Sequence, residues 1–201
     1  MSELADRLRA ALAAEGRPSS DFDLNPAVSL PEGRSLREAA VLIPVVERAE
    51  GAGLILTKRS SALKHHPGQI AFPGGKVDDG DDGAVGAALR EAWEEIALEM
   101  EQTRVLGALP SHETVTGFRV TPVLAMVSAG FEARPEPGEV AEVFEAPLAH
   151  VLDPANYLIE SRRWRGERRY YFTVPWGPYY IWGATARMLR ALADRMGHGE
   201  T

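Results

Sequence analysis

The most informative segment of this chain is FPGGKVDDGDDGAVGAALREAWEEIAL, residues 72–98. A proline and two glycines come first, a run of aspartates follows, and the remainder reads as a helix from about residue 82 to 97. Because an α-helix turns by about 100° per residue, Glu91, Glu94 and Glu95 fall within an arc of about 100°. Leu89 and Ile96 lie on the other side. This helix therefore has one apolar face and a separate acidic face.

The acidic face destabilises the helix, since like charges one turn apart repel by roughly 0.2–0.5 kcal/mol per pair. Arg90 can relieve part of this repulsion as the i,i+4 partner of Glu94. One interpretation is therefore a solvated face with an ion pair. The other is a site for Mg²⁺ or Mn²⁺, which prefer carboxylate oxygens and accompany phosphate substrates.

The glycine turn before the helix favours the metal interpretation. Gly74 and Gly75 allow backbone conformations that are closed to other residues, and they leave room for a phosphate between the helix and the preceding strand. The aspartates that follow have a simpler explanation. We expect Asp81 or Asp82 to cap the start of the helix.

Composition restricts the class of protein. The chain has 201 residues, of which 45% are hydrophobic and 25% charged, so we expect a folded domain rather than a disordered chain. The net charge of -7 disfavours binding to nucleic acid or to a membrane surface. The absence of cysteine excludes disulfides, thiolate metal sites and a cysteine nucleophile. No apolar run approaches the roughly 18 residues of a membrane span, and we expect a cytoplasmic protein.

The hydrophobic periodicity predicts strands and helices that alternate along the chain without a linker between two domains. The predicted strands cover residues 39–48, 53–60, 103–109, 118–128 and 140–148, with a first hairpin turn at 50–53 and a second hairpin over 157–172. The predicted helices cover residues 2–15, 82–97, 148–155 and 181–196. Residues 17–36 read as an irregular arm. The fold class is therefore α/β or α+β.

The segment from Gly75 to Leu98 resembles the Nudix box, a strand–loop–helix–loop motif of hydrolases that cleave a nucleoside diphosphate linked to another moiety. The residues that match the core of the box are Gly75, Asp81, Arg90, Glu91, Glu94 and Glu95. Two positions depart from the motif. Asp81 replaces the usual glutamate, with one extra residue before Arg90, and Ala97 replaces the usual glycine.

A longer run is similar to the coenzyme A pyrophosphatase group of Nudix hydrolases. That group carries an Arg-Ser-x-x-Leu-Arg/Lys-x-His-x-Gly-Gln lead-in, which is matched here by Arg59, Ser60, Leu63, Lys64, His66, Gly68 and Gln69. Further matching segments cover 109–123, 139–148 and 181–189. The resemblance spans about 38–190, so we expect a helix and arm over 1–36 and a Nudix domain over 37–196.

The resemblance implies the Nudix fold, an α/β/α sandwich with a mixed central β-sheet, and metal-dependent hydrolysis of a diphosphate. For coenzyme A the products are 3′,5′-ADP and 4′-phosphopantetheine. By motif position Glu91 and Glu95 are metal ligands, and Glu94 is a third ligand or supports one. Arg90 orients a glutamate through a bidentate salt bridge. The general base is Glu139 or Glu142, and only one of them should reach the site because the two face opposite sides of a strand.

We expect substrate contacts outside the box. Arg59, Lys64 and His66 form a basic cluster that can hold phosphate oxygens beside Gln69, Gly74 and Gly75. A loop with His112, Glu113 and Thr114 is expected on the substrate side. The arginine-rich segment 160–172 is interpreted first as an exposed hairpin or a homodimer contact, and second as an adenine and phosphate site. The four tryptophans are assigned to the core or to a subunit interface.

Three alternatives stay open. Another Nudix substrate, such as ADP-ribose, NADH or a dinucleotide polyphosphate, would use the same glutamates. A non-catalytic Nudix domain would bind a nucleotide and regulate a partner, although such a domain typically loses one of the core glutamates. An acidic helix without any metal is the third, and the glycine turn disfavours it.

Overall fold

The helices and strands lie close to where hydrophobic periodicity predicts them. A computed structural model describes residues 2–28, 33–164 and 166–198. Its α-helices are α1 (Glu3–Ala13), α2 (Gly83–Ile96), α3 (Leu148–Val151) and α4 (Gly183–His198). Its strands are β1 (Ser19–Ser20), β2 (Arg37–Arg48), β3 (Gly51–Arg59), β4 (Ile70–Ala71), β5 (Gly74–Lys76), β6 (Thr103–Ala108), β7 (His112–Glu113), β8 (Phe118–Val127), β9 (Val140–Pro147), β10 (Leu158–Trp164) and β11 (Glu167–Thr173).

The main sheet is mixed, as predicted. Its centre is the parallel pair β2 and β8, in register from Arg37 opposite Phe118 to Val46 opposite Val127. β3 runs antiparallel to β2 on the other side and also pairs with β4 and β9. The glycine strand β5 pairs with the first half of β2. The turn predicted at residues 73–75 is therefore a strand from Gly74 onward, because its backbone pairs with β2, and this pairing brings the two glycines alongside the middle of the sheet.

The side chains of β2 alternate between two apolar cores, one on each face of the sheet. Ile43 and Val45 point into a core that also contains residues of α1 and α4, whereas Leu42 and Val46 point into a core under α2. All four side chains are fully buried. The sheet therefore lies between helices on both faces. α1 and α4 cover one face, and α2 covers the other.

The first hairpin turn is tighter than predicted. Arg48 pairs with Gly51, so the turn consists of residues 49 and 50, and residues 51–53 belong to β3. The prediction of a turn over 50–53 relied on the general preference of glycine for turns, and it was wrong for residues 51–53. Here the strand continues through them, supported by pairing with β2 and β9.

The arm over 17–36 is more ordered than predicted in the part that the structure describes, while residues 29–32 lie outside it. β1 pairs in parallel with β7, Ser19 opposite His112, and so adds a strand to the main sheet. α1 packs in the same core as α4, and the buried Arg195 donates to the carbonyl oxygens of Ala11 (3.2 Å) and Ala14 (2.7 Å).

The second hairpin is confirmed and forms a sheet of its own. β10 and β11 pair antiparallel, with Ser161 opposite Tyr170. Residue 165 lies outside the described part of the chain. Of the helices in the described ranges, none combines the length and the apolar character that crossing a membrane requires.

Candidate active site

The glycine turn and the acidic helix are in direct contact. The Gly74 N–H donates to Glu95 Oε2 at 3.3 Å, and the Glu95 side chain is only 3% exposed. A Cβ on Gly75 would lie 2.5 Å from Cδ of Glu91, which is closer than atoms can approach. Gly75 therefore lets the Glu91 carboxylate lie directly against the strand, whereas Gly74 allows close approach to the backbone of β2 at Ala40 and Val41.

Arg90 connects the aspartate loop to the acidic face. Its Nε and Nη2 donate to the two oxygens of Asp81 at 2.8 and 3.1 Å, a bidentate pair. Its Nη1 donates to Glu91 Oε1 at 3.1 Å and to Glu94 Oε2 at 3.0 Å. The predicted ion pair with Glu94 is confirmed, and the arginine also orients Glu91.

The predicted helix cap is not made by either aspartate. Asp82 occupies the N-cap position, but its side chain makes no capping hydrogen bond. Asp81 instead accepts from Arg90 and from the Asp78 N–H. The hydrogen bond from the charged Arg90 is stronger than one from a backbone N–H, so the Asp81 carboxylate binds Arg90 and does not cap the helix.

At the other end of α2, Ala97 occupies the position where the Nudix box usually has glycine. Its φ of 57° is left-handed, and its N–H donates to the Trp93 carbonyl oxygen at 2.9 Å. Glycine favours this conformation, because a Cβ clashes there with the following carbonyl group. The alanine keeps the backbone geometry of the usual glycine at an energetic cost.

The pKa values of Glu91 and Glu95 are both raised above the ordinary value of a glutamate. Burial raises the pKa of Glu95 to about 8, against the lowering effect of Arg59, whose Nη1 lies 3.9 Å from Glu95 Oε1. Burial also raises the pKa of Glu91, although the Arg90 hydrogen bond opposes this. A buried and a partly buried carboxylate, one turn apart on the same helix, fit a divalent cation, whose charge would stabilise their ionised forms.

The third glutamate is placed differently. The Glu94 side chain is 47% exposed and held by Arg90. Within the described residues, no group of three or more His, Asp or Glu side chains is arranged to hold a metal ion. Glu91 and Glu95, the predicted metal-ligand pair, are therefore more buried than Glu94, which lies further toward solvent.

The two candidates for the general base have different surroundings, and only Glu142 lies within β9. Glu139, just before β9, contributes to the raised pKa of both Glu91 and Glu95 through its charge. Glu142 instead accepts a hydrogen bond of 2.5 Å from the Tyr179 hydroxyl. The Ser60 N–H donates to the Glu139 carbonyl oxygen at 2.8 Å, which places residue 139 beside Arg59, the residue that faces Glu95.

A cavity of about 480 Å³ opens beside the glycine turn. Three of the predicted substrate residues, Arg59, His66 and Gln69, line it together with Gly74 and Gly75. Lys64 is exposed and is not part of the lining. The basic cluster is therefore divided, with one arginine and one histidine facing the cavity.

Arg59 joins this cavity to the metal-ligand pair. Its Nε is buried and has no hydrogen-bond partner among the described residues, whereas its Nη1 faces Glu95. Near it, the pKa of His66 is lowered, mainly because the cavity wall shields the ring from water, although the residue as a whole stays exposed. The charges of Arg59 and Arg162 add to that lowering. An anion would find a buried, unsatisfied donor here.

The arginine hairpin is exposed along most of its length, as first interpreted, but one side of it also lines the cavity, as does one of the tryptophans that were assigned to the core or an interface. Arg162, Tyr170 and Tyr171 face it, as does Trp182. The Arg162 guanidinium lies 4.3 Å from the Trp182 ring centroid. The sequence signal was present, since segment 160–172 carries five arginines in an acidic protein. What the sequence lacked was the direction in which the hairpin folds.

The loop predicted on the substrate side is only partly there. His112 is fully buried in β7, with its Nδ1 2.9 Å from Ser19 Oγ and its Nε2 3.1 Å from Asp21 Oδ1. Glu113 forms an ion pair with Arg34. Thr114 does line the cavity, together with Val115 and Thr116. The prediction that His112 faces the substrate was wrong, because the neighbouring arm covers it.

Known proteins resemble this chain over most of its length. Residues 36–170 match the sequence model of the NUDIX domain. The chain is 45% identical over 161 residues to an "Uncharacterized Nudix hydrolase NudL" from Cronobacter sakazakii, which covers 80% of this chain and 83% of that protein. A protein of the same name from Escherichia coli is 44% identical with the same coverage.

A solved structure supports the fold. The crystal structure of the MutT protein from Methanosarcina mazei Go1 matches with a TM-score of 0.53, over 86% of this chain and 100% of that one. At 17% identity this likeness concerns the fold alone.

Proposed function

Because this chain belongs to the Nudix hydrolase family, which acts on pyrophosphate bonds of nucleoside diphosphate derivatives, we propose that it hydrolyses coenzyme A or a coenzyme A derivative. The observation that carries the proposal is the position of the lead-in residues. Arg59, His66 and Gln69 line one cavity with Gly74 and Gly75. The segment that resembles the coenzyme A group is thus next to the segment that resembles the catalytic box.

The charges around the cavity suit a substrate with a diphosphate and a neutral part. Arg59 and Arg162 supply positive charge near the glycine turn, and the buried Nε of Arg59 can donate to a phosphate oxygen. The remaining wall includes apolar side chains such as Val41, Phe72 and Met188. A neutral arm or a base can pack there without an unsatisfied charge.

Nudix hydrolases generally use divalent metal ions, and here Glu91 and Glu95 would hold Mg²⁺ or Mn²⁺. When bound, such an ion shields phosphate oxygens and lowers the pKa of a water molecule. Arg90 keeps Glu91 in place through Nη1 while its other nitrogens hold Asp81. Glu94 supports this arrangement as the second partner of Nη1.

The reaction consumes one water molecule. A new P–O bond forms to the water oxygen, the bridging P–O bond of the diphosphate breaks, and the departing phosphate keeps the bonding electrons. We assign Glu139 as the group that accepts the water proton, because its backbone is hydrogen-bonded to Ser60, next to Arg59, which faces Glu95. Glu142, held by Tyr179, serves as the comparison.

The test is a product assay. The protein is incubated with coenzyme A and Mg²⁺ or Mn²⁺, and 3′,5′-ADP and 4′-phosphopantetheine are separated chromatographically. ADP-ribose and NADH are run in parallel at the same concentration. Rapid cleavage of ADP-ribose with no release of 3′,5′-ADP would assign another Nudix substrate. Binding of a nucleotide without any cleavage would favour a regulatory domain.

Two variants examine the choice of base. Glu139→Gln should lower kcat by about 100-fold or more, within the range for loss of a general base, whereas Glu142→Gln should lower it less than tenfold. The opposite ranking would move the base to Glu142.

A further inference from the structure

The N-terminal arm, residues 17–28, contacts two walls of the cavity although it lies before the segment that matches the NUDIX domain, residues 36–170. Asp21 and Asn25 of the arm both belong to the cavity lining. Each is hydrogen-bonded to backbone of a different wall. This arrangement raises the question of what those walls would do without the arm.

One wall is the hairpin β10–β11, and Asn25 binds it at two points. The Asn25 side chain donates from Nδ2 to the Tyr170 carbonyl oxygen at 2.9 Å, and its Oδ1 accepts from the Tyr170 N–H at 2.8 Å. Asn25 is buried. The amide thus satisfies both backbone groups of one residue, as a neighbouring strand would.

The hairpin forms a sheet separate from the main one and is anchored at its base, where Thr173 forms a β-bridge with Trp182 and Phe172 packs against the main core. Because two strands alone are marginally stable in water, the Asn25 contact further along β11 gives the hairpin a second anchor. The arm makes a second contact to it, because the Arg169 guanidinium lies 5.7 Å from the Phe22 ring centroid. The hairpin carries Arg162 and Tyr171, which face the cavity.

The other wall is the turn after β7. Asp21 Oδ2 accepts from the Val115 N–H at 2.8 Å, and Asp21 Oδ1 lies 3.1 Å from Nε2 of the buried His112. Thr114 and Thr116 on either side of Val115 line the cavity. The arm therefore holds both walls from one short segment.

We propose that Asn25 is a positioning residue for substrate binding, which fixes the hairpin so that Arg162 and Tyr171 stay directed into the cavity. The inference rests on the proposed function of this cavity. Among the described residues the Asn25 side chain hydrogen-bonds to Asp21 and Tyr170, and not to the proposed metal ligands Glu91 and Glu95. Its loss should therefore weaken substrate binding and leave the chemical step unchanged.

The central experiment replaces Asn25 in the full chain. Asn25→Ala removes both hydrogen bonds to Tyr170, and the KM for the hydrolysed substrate should rise about tenfold with kcat within about twofold. Asn25→Asp keeps the acceptor for the Tyr170 N–H and loses the donor, so KM should rise as well. It is the second variant if Asn25→Ala folds poorly.

Asn156→Ala is the matched control. Asn156 also donates from its side chain to a backbone carbonyl oxygen, that of His150, at 3.0 Å, but it lies outside the cavity lining. A purely structural role for Asn25 would make the two variants alike, with lower stability and an unchanged KM. That result would overturn the proposal.

Backbone amide hydrogen exchange gives a readout that does not depend on activity. Asn25→Ala should speed exchange in β11, residues 167–173, by about tenfold and leave β8, residues 118–127, unchanged. Equal exchange in β11 of wild type and variant would overturn the proposal. Kinetics are measured with coenzyme A and with ADP-ribose, so an incorrect substrate assignment appears in the wild type, while the variants are still compared on the substrate that is cleaved.

Discussion

Replacing Glu95 by glutamine should stabilise the metal-free protein at neutral and alkaline pH. The Glu95 side chain is 3% exposed, and burial raises its pKa to about 8 from an ordinary value of 4.5. A glutamine has the same shape and can still accept the Gly74 N–H that now bonds to Glu95. It carries no charge to bury.

The sign follows from proton linkage. Between pH 4.5 and about 8 the native state keeps the Glu95 proton, whereas the unfolded chain releases it. The free energy of unfolding therefore falls as pH rises through this interval. At pH 7 the contribution is about 3 kcal/mol, since pH 7 lies about 2.5 pH units above the ordinary value and each unit corresponds to about 1.4 kcal/mol. Above pH 8 the effect approaches about 5 kcal/mol.

The assay is urea unfolding at pH 5, 7 and 9 in the presence of a chelator. The advantage of Glu95→Gln over wild type should be small at pH 5 and should grow to about 3 kcal/mol at pH 7. Glu94→Gln, which removes a neighbouring carboxylate that is 47% exposed, is the matched control and should keep the wild-type pH dependence. Stability curves that stay parallel for wild type and Glu95→Gln would refute the reasoning.

Metal provides the complementary measurement. An excess of Mn²⁺ at pH 8 should stabilise the wild type, because a ligand that binds only the native state adds to its stability. The same addition should have little effect on Glu95→Gln. Binding should release a proton at pH 7, since the native Glu95 is protonated there. The released proton can be measured by calorimetry in buffers of different ionisation enthalpy.

Three further predictions concern α2 and its surroundings. Ala97→Gly should raise the free energy of unfolding by about 1 kcal/mol, measured by urea denaturation, because Ala97 has a left-handed φ of 57°. Gly75→Ala should weaken Mn²⁺ binding about 10–100-fold in a titration, because the new Cβ would displace Glu91. Unchanged Mn²⁺ affinity of Gly75→Ala would show that a side chain at residue 75 does not displace Glu91. Arg90→Lys should lower kcat about 10–100-fold, since lysine cannot make the bidentate pair with Asp81. A variant with wild-type kcat would show that this pair has no catalytic role.

Local sequence patterns were sufficient for the elements and for the acidic helix. Apolar spacing located α2 and the strands β2, β3 and β8 to within a few residues. The same spacing placed Glu91 and Glu95 on a face opposite Ile96, which is fully buried. These features depend on residues three or four apart on one helix, or two apart on one strand, and the sequence contains that information directly.

The helix cap and the first turn show where local patterns compete. Asp81 has the chemistry of a cap, yet it binds Arg90, nine residues further on. Residues 51–53 look like a turn, yet they continue a strand because β2 and β9 flank them. In both cases a tertiary partner is energetically better than the local one.

The cavity itself depends on contacts between segments far apart in the chain. Asn25 and Tyr170 are 145 residues apart in the chain. Arg59, at the end of β3, reaches Glu95 only because α2 packs on the sheet that contains β3. Residue types alone predicted a metal-ligand helix and a basic lead-in. Whether the arginine hairpin turns toward that lead-in or toward solvent depends on how the arm, the hairpin and the sheet pack together, and no short-range pattern contains that information.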